Sequence, residues 1–317
     1  AIRRFVRDEL GGYDVVLEKS WLLSGHVLTL CRRRGIPGIA IENVVANAAQ
    51  AAQGSLPKRL RVQAGRMLAG RNLRRAPLVI AETAGLADAI ARVWRVPAER
   101  IEVVALGVDK ELFRPQDRAA ARARLGLAPS ATILTYVGVL DATHDLAPLL
   151  RALAVGAPPG LELHLVGTGP RHDAYAAMAA AAKAPVRFHG RVPHDEVPTH
   201  IAAADLCLAP YDTAAFANGE LGYSSMKVPE YLAAGRPVAS VPSGRMRELI
   251  QDGRSGFLLD NSAEGWQALL RHLPGREALA RMGAAAASVR LNSWEDTALA
   301  YLCLCERAIR STSRRIA

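Results

Sequence analysis

Residues 132–170 read TILTYVGVLDATHDLAPLLRALAVGAPPGLELHLVGTGP. Two strand-like runs, Thr132–Val137 and Leu161–Val166, each close on a glycine, and a helical stretch, Leu146–Ala154, lies between them. Largely apolar runs of this length are what parallel strands buried on both faces read as. Strand, helix and strand at this spacing make a βαβ unit. The alternation extends outward in both directions. Candidate strands precede it at Tyr13–Glu18, Gly38–Glu42, Leu78–Glu82 and Ile101–Ala105. Others follow at Val186–His189, Leu206–Ala209, Pro237–Val241 and Gly256–Leu259, with helical stretches such as Asp173–Lys183 and Met226–Ala234 between them. The pattern predicts an α/β fold with parallel sheets covered on both faces.

Gly107-Val108-Asp109, with Pro115 close behind, separates two such blocks. The second, 115–290, is long enough for a complete doubly wound domain; the first is short for one. Trp294–Arg310 is one helical pattern with Ala298, Leu302, Cys305 and Ile309 on one side, and a basic segment follows it.

The 317 residues are 50% hydrophobic and 22% charged, which excludes a disordered chain, a collagen and a coiled coil. No apolar run reaches membrane-spanning length. The opening residues, Ala1-Ile2-Arg3-Arg4-Phe5, do not lead into the apolar region of a secretory signal. Cys31, Cys207, Cys303 and Cys305 are too few and too scattered for a disulfide framework, so a reducing compartment is expected. A net charge of +10, carried mostly by arginine, suits anionic partners such as nucleotides or anionic lipid surfaces.

Four stretches can carry chemistry. In Ser224-Ser225-Met226-Lys227-Val228-Pro229-Glu230, a turn of small residues opens a helix. Free N–H groups at a helix start favour a phosphate, Lys227 adds a point charge, and Glu230 can accept from a ribose diol. A capped surface helix with a solvated Lys and Glu is the plainer reading. In Tyr136-Val137-Gly138-Val139-Leu140-Asp141-Ala142-Thr143-His144, a strand end leads to a histidine able to donate to phosphate or sugar, or merely solvated beside a helix cap. Gly167-Thr168-Gly169 and Gly190-Arg191-Val192 are two further strand-end turns, and the latter could read a nucleobase. A nucleophile elbow, metal-ligand spacing and a Walker sequence are all absent. Lys58-Arg59-Leu60-Arg61, Arg66, Arg71, Arg74 and Arg75 fall beside Leu60, Met67, Leu68 and Leu73 on one helical stretch. That is either a basic amphipathic face for an anionic membrane or an ordinary solvated face.

In this order the stretches resemble glycosyltransferase family 4, retaining sugar-nucleotide enzymes of GT-B fold. Ile101–Pro115 (IEVVALGVDKELFRP) is similar to that family's interdomain stretch, and Tyr136-Val137-Gly138, Leu165–Pro170, Phe188–Val197 and Glu248–Leu258 are similar to its donor-domain motifs. Ser224–Val238 resembles the subgroup motif S-P-L-K-L-F-E-Y-M-A-A-G-k-P-V. In the first block, Val16-Leu17-Glu18-Lys19 and Ile41-Glu42-Asn43 resemble stretches of the same subgroup.

The resemblance implies two Rossmann-like domains with parallel sheets facing across a cleft. The acceptor-side domain would be 1–108 plus 291–317, and the donor domain 109–290. The first would be incomplete, because family members carry further βα units and a Gly-rich loop before this stretch. It implies transfer of a sugar from a nucleoside diphosphate sugar to an acceptor hydroxyl with retention, in polysaccharide, glycolipid or other glycoconjugate synthesis. Lys227, His144 and Glu230 would be catalytic. Gly138, Val139, Gly167, Gly169, Gly190, Arg191, Val192, Ser224, Ser225, Met226, Lys227 and Glu230 would bind the donor. Glu18, Glu42 and Asn43 would face the acceptor. No metal or other cofactor, and no nucleic acid, is implied. A cytoplasmic enzyme is expected, with the basic charge pointing to a lipid-linked acceptor and peripheral contact at the inner membrane face.

The sequence departs from the family where many members have a second glutamate; here Gly222 stands, with Glu220 or Asn218 as substitutes only if the loop reshapes. Val139 replaces an arginine, and His144 falls near a usual lysine. These departures keep two alternatives open: a non-catalytic nucleotide-sugar-binding or scaffold protein, and a GT-B sugar-nucleotide epimerase.

Overall fold

The computed structural model describes residues 9–19, 26–43, 55–216 and 220–316. Its contacts divide the chain into two compact units. One comprises residues 1–107, 214–224 and 294–317, and the other residues 108–213 and 225–293. The described residues between 214 and 224, which sequence reading leaves within the second block, thus group with the first unit. Asn218 lies outside the described residues.

The first unit is built on four parallel strands: β1 (Val16–Lys19), β2 (Gly38–Glu42), β3 (Leu78–Ala81) and β4 (Ile101–Val103), in that order. β1 begins later than the apolar run suggests, because Leu10–Gly12 forms a 3₁₀ turn before it. The connecting helices are α1 (His26–Arg33), α2 (Leu56–Leu73) and α3 (Ala84–Trp94). α3 starts on the hydroxyl of Thr83, which accepts from the N–H of Leu86 at 3.0 Å. α2 carries the basic run, yet its apolar side chains do not gather on one face. Leu73 is buried, whereas Leu60, Met67 and Leu68 are exposed among the arginines. Its buried positions include Gly65 and Gly70, and a Cβ at Gly70 would meet the ring of Trp94 at 2.7 Å.

The second unit holds a six-stranded parallel sheet ordered β10-β9-β8-β5-β6-β7. The strands are β5 (Thr132–Val137), β6 (Leu161–Val166), β7 (Val186–Gly190), β8 (Leu206–Ala209), β9 (Val238–Ser240) and β10 (Gly256–Leu258). The chain enters at β5, runs outward to β7 and then returns to the other side at β8. That reversal leaves a crevice beyond the carboxyl ends of β5 and β8, where ligands of such sheets bind. The unit's helices are α4 (Arg118–Arg124), α5 (Ala147–Val155), α6 (His172–Ala181), α7 (Val197–Ala203), α8 (Lys227–Ala233), α9 (Met246–Leu249), α10 (Ala263–Arg271) and α11 (Arg276–Ala287). A core of Leu134, Leu149, Leu153, Leu163, Tyr175 and Trp266 fills the space between β5, β6 and the helices over them. The last helix, α12 (Trp294–Ile316), belongs to the first unit, where Leu304 and Ala308 cover Ile39, Leu78, Ile80 and Val104.

Two buried polar clusters sit in the second unit. Asp205 accepts from Arg118 and Arg122 at 2.6 Å each and from the N–H of Ile133 at 2.8 Å. Arg122 also donates to the carbonyl of Ala203 at 3.0 Å, and Arg236 to that of Ala202 at 2.6 Å. These carbonyls lie at the end of α7 and have no partner within the helix. Removing one member leaves buried charge uncompensated. Asp205→Ala is therefore expected to lower the unfolding free energy by about 3–5 kcal/mol in chemical denaturation.

The second cluster stacks three imidazoles. His164 and His189 approach with Nδ1 and Nε2 3.3 Å apart, and His200 stands edge-on to His189 with centroids 4.8 Å apart. Glu162 bonds His164 and supports its charge, while Arg187 and Arg122 oppose it. Burial pushes all three histidines down, His200 to about 4. Unfolded histidine protonates near 6.5, so the stability these neutral rings provide is complete above that pH and is lost as pH falls toward 4. Thermal unfolding midpoints should drop between pH 7 and 4.5, and His200→Gln should flatten that slope.

Candidate functional site

The site lies in the second unit, beyond the ends of β5 and β8. β5 stops at Val137, whose N–H donates to the phenol of Tyr231 at 2.8 Å. Gly138 follows with φ 143°, a region that favours glycine. A Cβ there would lie 3.0 Å from Nζ of Lys227 and 3.1 Å from the Tyr136 hydroxyl. The bare backbone therefore makes room for the ammonium. Gly167, at the end of β6 with φ 132°, is equally constrained, since a Cβ would run into the carbonyl of Gly138. Hydrogen bonds lace the strand ends together. Gly138 donates to Val166 at 2.9 Å, Gly167 to Gly190 at 2.7 Å and Leu140 to Thr168 at 3.1 Å. Gly138, Gly167, Gly169 and Gly190 thus share one rim.

Lys227 is the first residue of α8 and is half-buried. Its Nζ donates to the Tyr136 hydroxyl at 3.3 Å and lies 4.7 Å from that ring's centroid and 5.6 Å from that of Tyr211. The Tyr136 hydroxyl in turn donates to the Val139 carbonyl at 2.7 Å. One phenol thereby fixes both the lysine and the loop after β5. No carboxylate stands at ion-pair distance from Lys227 among the described residues. Burial lowers its pKa to about 7, against the opposing pull of Asp141 and Glu230. Glu230, one turn further along α8, is raised to about 7 by burial, with Lys227 opposing.

His144 is held by Asp141. The carboxylate accepts from the N–H groups of Thr143 and His144 and from ring Nδ1, each at 2.9 Å. Burial first, and Lys227 second, push His144 down to about 4, so the ring is neutral. With its proton on Nδ1 facing Asp141, the ring presents a lone pair at Nε2. In this state Nε2 carries no proton to donate and is an acceptor only. Tyr211 closes the group, its ring centroid 5.2 Å from that of His144 and its hydroxyl 2.6 Å from Ser225 Oγ.

The structure thus brings Gly138, His144, Lys227 and Glu230 together. Val139 is exposed and contributes its carbonyl. Met226 precedes α8 and is exposed, and the Ser225 hydroxyl is committed to Tyr211. Arg191 and Val192 follow Gly190 at the edge strand β7, Arg191 exposed and Val192 half-buried. Ser224 packs with the first unit, where its N–H donates to the carboxylate of Glu82 at 3.4 Å. On that unit's sheet, Glu18 accepts from the N–H of Leu28 at 3.0 Å and so caps α1. Glu42 is buried at the end of β2, and the Oδ1 of Asn43 beside it is buried with no hydrogen-bond partner among the described residues. Sequence reasoning missed Tyr136, Asp141, Tyr211 and Glu82. Only Asp141 left a signal, as an aspartate placed before Thr-His to bond its own loop.

The profile of a family described as "Glycosyl transferases group 1" matches residues 131–274, the heart of the second unit. D-inositol 3-phosphate glycosyltransferase of a Nocardioides species is 32% identical over 97% of this chain and 70% of its own length. The protein of that name from Mycobacterium avium is 32% identical over 99% and 74%. Among solved structures, sucrose-phosphate synthase from Thermosynechococcus elongatus superposes with a TM-score of 0.80 at 22% identity, covering 98% of this chain and 77% of its own. Anabaena HepE in complex with UDP gives 0.76 at 18%, covering 96% and 82%. The fold is GT-B, and the chain belongs to the group 1 glycosyl transferases.

Lys227 is expected to react with an amine reagent along a titration curve centred near 7, against above 10 for surface lysines. Glu230→Gln removes a charge that favours the ammonium and should move that curve down. Competitive labelling with peptide mass spectrometry reads both.

Proposed function

We propose that this chain transfers a sugar from a nucleoside diphosphate sugar to an acceptor hydroxyl with retention of anomeric configuration. The observation that carries the reading is Lys227, a half-buried ammonium at the end of β5 with no carboxylate at ion-pair distance among the described residues. An anion placed there gains more than it would in water. In the reaction the bond from the anomeric carbon to the diphosphate oxygen breaks, and its electron pair stays on that oxygen. Lys227 faces the charge that develops. The acceptor oxygen bonds the anomeric carbon, and its proton passes to the departing phosphate. Glu230 accepts from the ribose hydroxyls, and the lone pair of His144 orients the sugar. Gly138, Gly167 and Gly190 let the donor lie against bare backbone. The proposed reaction uses no covalent protein nucleophile and no metal.

The relatives named for D-inositol 3-phosphate make a polyol phosphate the first acceptor to assay. The UDP in HepE makes a uridine nucleotide the first donor. Asn43, with its unsatisfied acceptor at the end of β2, is the residue proposed to accept a hydrogen bond from the incoming hydroxyl, with Glu42 and Glu18 holding that sheet edge. No described helix is long and apolar enough to cross a membrane. Peripheral contact with an anionic surface, supported by the exposed arginines and apolar side chains of α2, is the proposed route to a lipid-linked acceptor. A second reading, binding without turnover, draws support from Gly222, which has open space and no carboxylate where many family members have one.

The test is thermal unfolding with UDP, GDP, ADP and CMP, for wild type, Lys227→Met and Glu230→Ala. One diphosphate should stabilise the wild type by several degrees and neither variant. Incubation with the matching sugar nucleotide and acceptor, followed by NMR of the product's anomeric proton, then decides turnover and retention. Stabilisation without product would favour the second reading. No stabilisation by any nucleotide would remove both.

A further inference from the structure

The carboxyl ends of the first unit's strands carry Glu42, Asn43 and Glu82. Its opposite edge, where the strands begin, has the reverse character. A cavity of about 220 Å³ opens there, between Pro37 before β2, Pro77 before β3 and Arg100 before β4. Arg32 from the last turn of α1, Arg75 just past α2 and Arg100 line it, with Asn72 between them. No acidic residue lines it, and none of the three arginines makes an ion pair among the described residues. Arg100 spends one donor on the carbonyl of Arg74 at 3.3 Å and has others to give. The charge of Arg71, then burial, Arg32 and Arg74, holds Arg75 below its usual range, as expected of cations gathered without a counter-ion.

Helix ends explain part of this charge. α1 and α2 both finish near the cavity, and a helix C-terminus favours one nearby cation by a modest amount. Two helix ends do not account for Arg32, Arg71, Arg74, Arg75 and Arg100 together, nor for a concave wall of prolines beneath them. Guanidinium forks match phosphate oxygens two at a time. Three of them around one cavity suit a dianion, and the apolar wall suits a small organic group.

We propose that this cavity is a binding site for a phosphomonoester, separate from the donor site and independent of the reading given to Lys227. Such a group can arrive free or as the headgroup of a lipid. The second source is open to it because Arg66, Met67 and Leu68 of α2 line an adjoining surface that shares Arg75 with the cavity.

The test uses the full chain at about 150 mM salt, which screens diffuse surface attraction. The probes are glycerol 3-phosphate in calorimetry and phosphatidic acid vesicles in co-sedimentation, with phosphatidylcholine vesicles as control. Wild type should bind one or both phosphomonoesters and not phosphatidylcholine. Arg75→Gln/Arg100→Gln should weaken that binding more than tenfold while leaving circular dichroism and any nucleotide-induced stabilisation unchanged. Arg32→Glu, at an exposed helix end, should give the same loss if the double variant does not fold. Glycerol 3-phosphate binding assigns a soluble ligand, and sedimentation with phosphatidic acid alone assigns a headgroup. No binding of either probe, or binding that survives these substitutions within about twofold, overturns the proposal.

Discussion

The ammonium of Lys227 stands at the mouth of a parallel sheet, with two phenol rings around it and, among the described residues, no carboxylate at ion-pair distance. A half-buried cation is unfavourable on its own. Around it, the neighbouring backbone and side chains have few choices left. Gly138 can carry no side chain, Gly167 none against Gly138, and Tyr136 must give its hydroxyl to both the lysine and the loop. His144 stays neutral in that field and leans on Asp141. The result is a strand end that holds a cation close to bare backbone. On the proposed reading, that is the condition under which a leaving diphosphate gains most from its surroundings.

The strand order delivers these groups to one place. β5 and β8 are neighbours but far apart in sequence, and the chain changes direction between them. Residues from the turn after β5, the end of β8 and the start of α8 therefore meet over a few ångströms. Only parallel strands with their carboxyl ends on one side allow this.

Much of this is legible in the sequence for a physical reason. A parallel strand buried on both faces has no polar alternation, so Thr132–Val137 and Leu206–Ala209 stand out as runs, and glycines mark where backbones must touch. Gly138, Lys227 and Glu230 could be picked out because they fall at a strand end and in the first turn of a helix, where such sheets hold anionic ligands. Tyr136 could not, because an aromatic inside a strand looks like core until the direction of its hydroxyl is known. Ser224 and Ser225 are adjacent in sequence, but one turns to Glu82 and the other to Tyr211. Nothing local separates them. The basic helix α2 misled in another way: Leu60, Met67 and Leu68 are exposed among its arginines, and its buried positions are Gly65, Gly70 against Trp94, and Leu73.

The first unit is assembled from segments that lie on both sides of the second in sequence. Leu304 and Ala308 cover Ile39, Leu78, Ile80 and Val104, and Thr297 bonds the carbonyl of Ala105 at 3.0 Å. During synthesis the second unit has all its segments once Ser293 is made. Until α12 leaves the ribosome, one apolar face of the first sheet has no cover. A messenger truncated before that helix would yield a chain with a finished second unit and a permanently bare first sheet, a substrate for chaperones and proteases. Neither unit could have been borrowed as a single uninterrupted stretch of gene, since each is assembled from segments that the other interrupts.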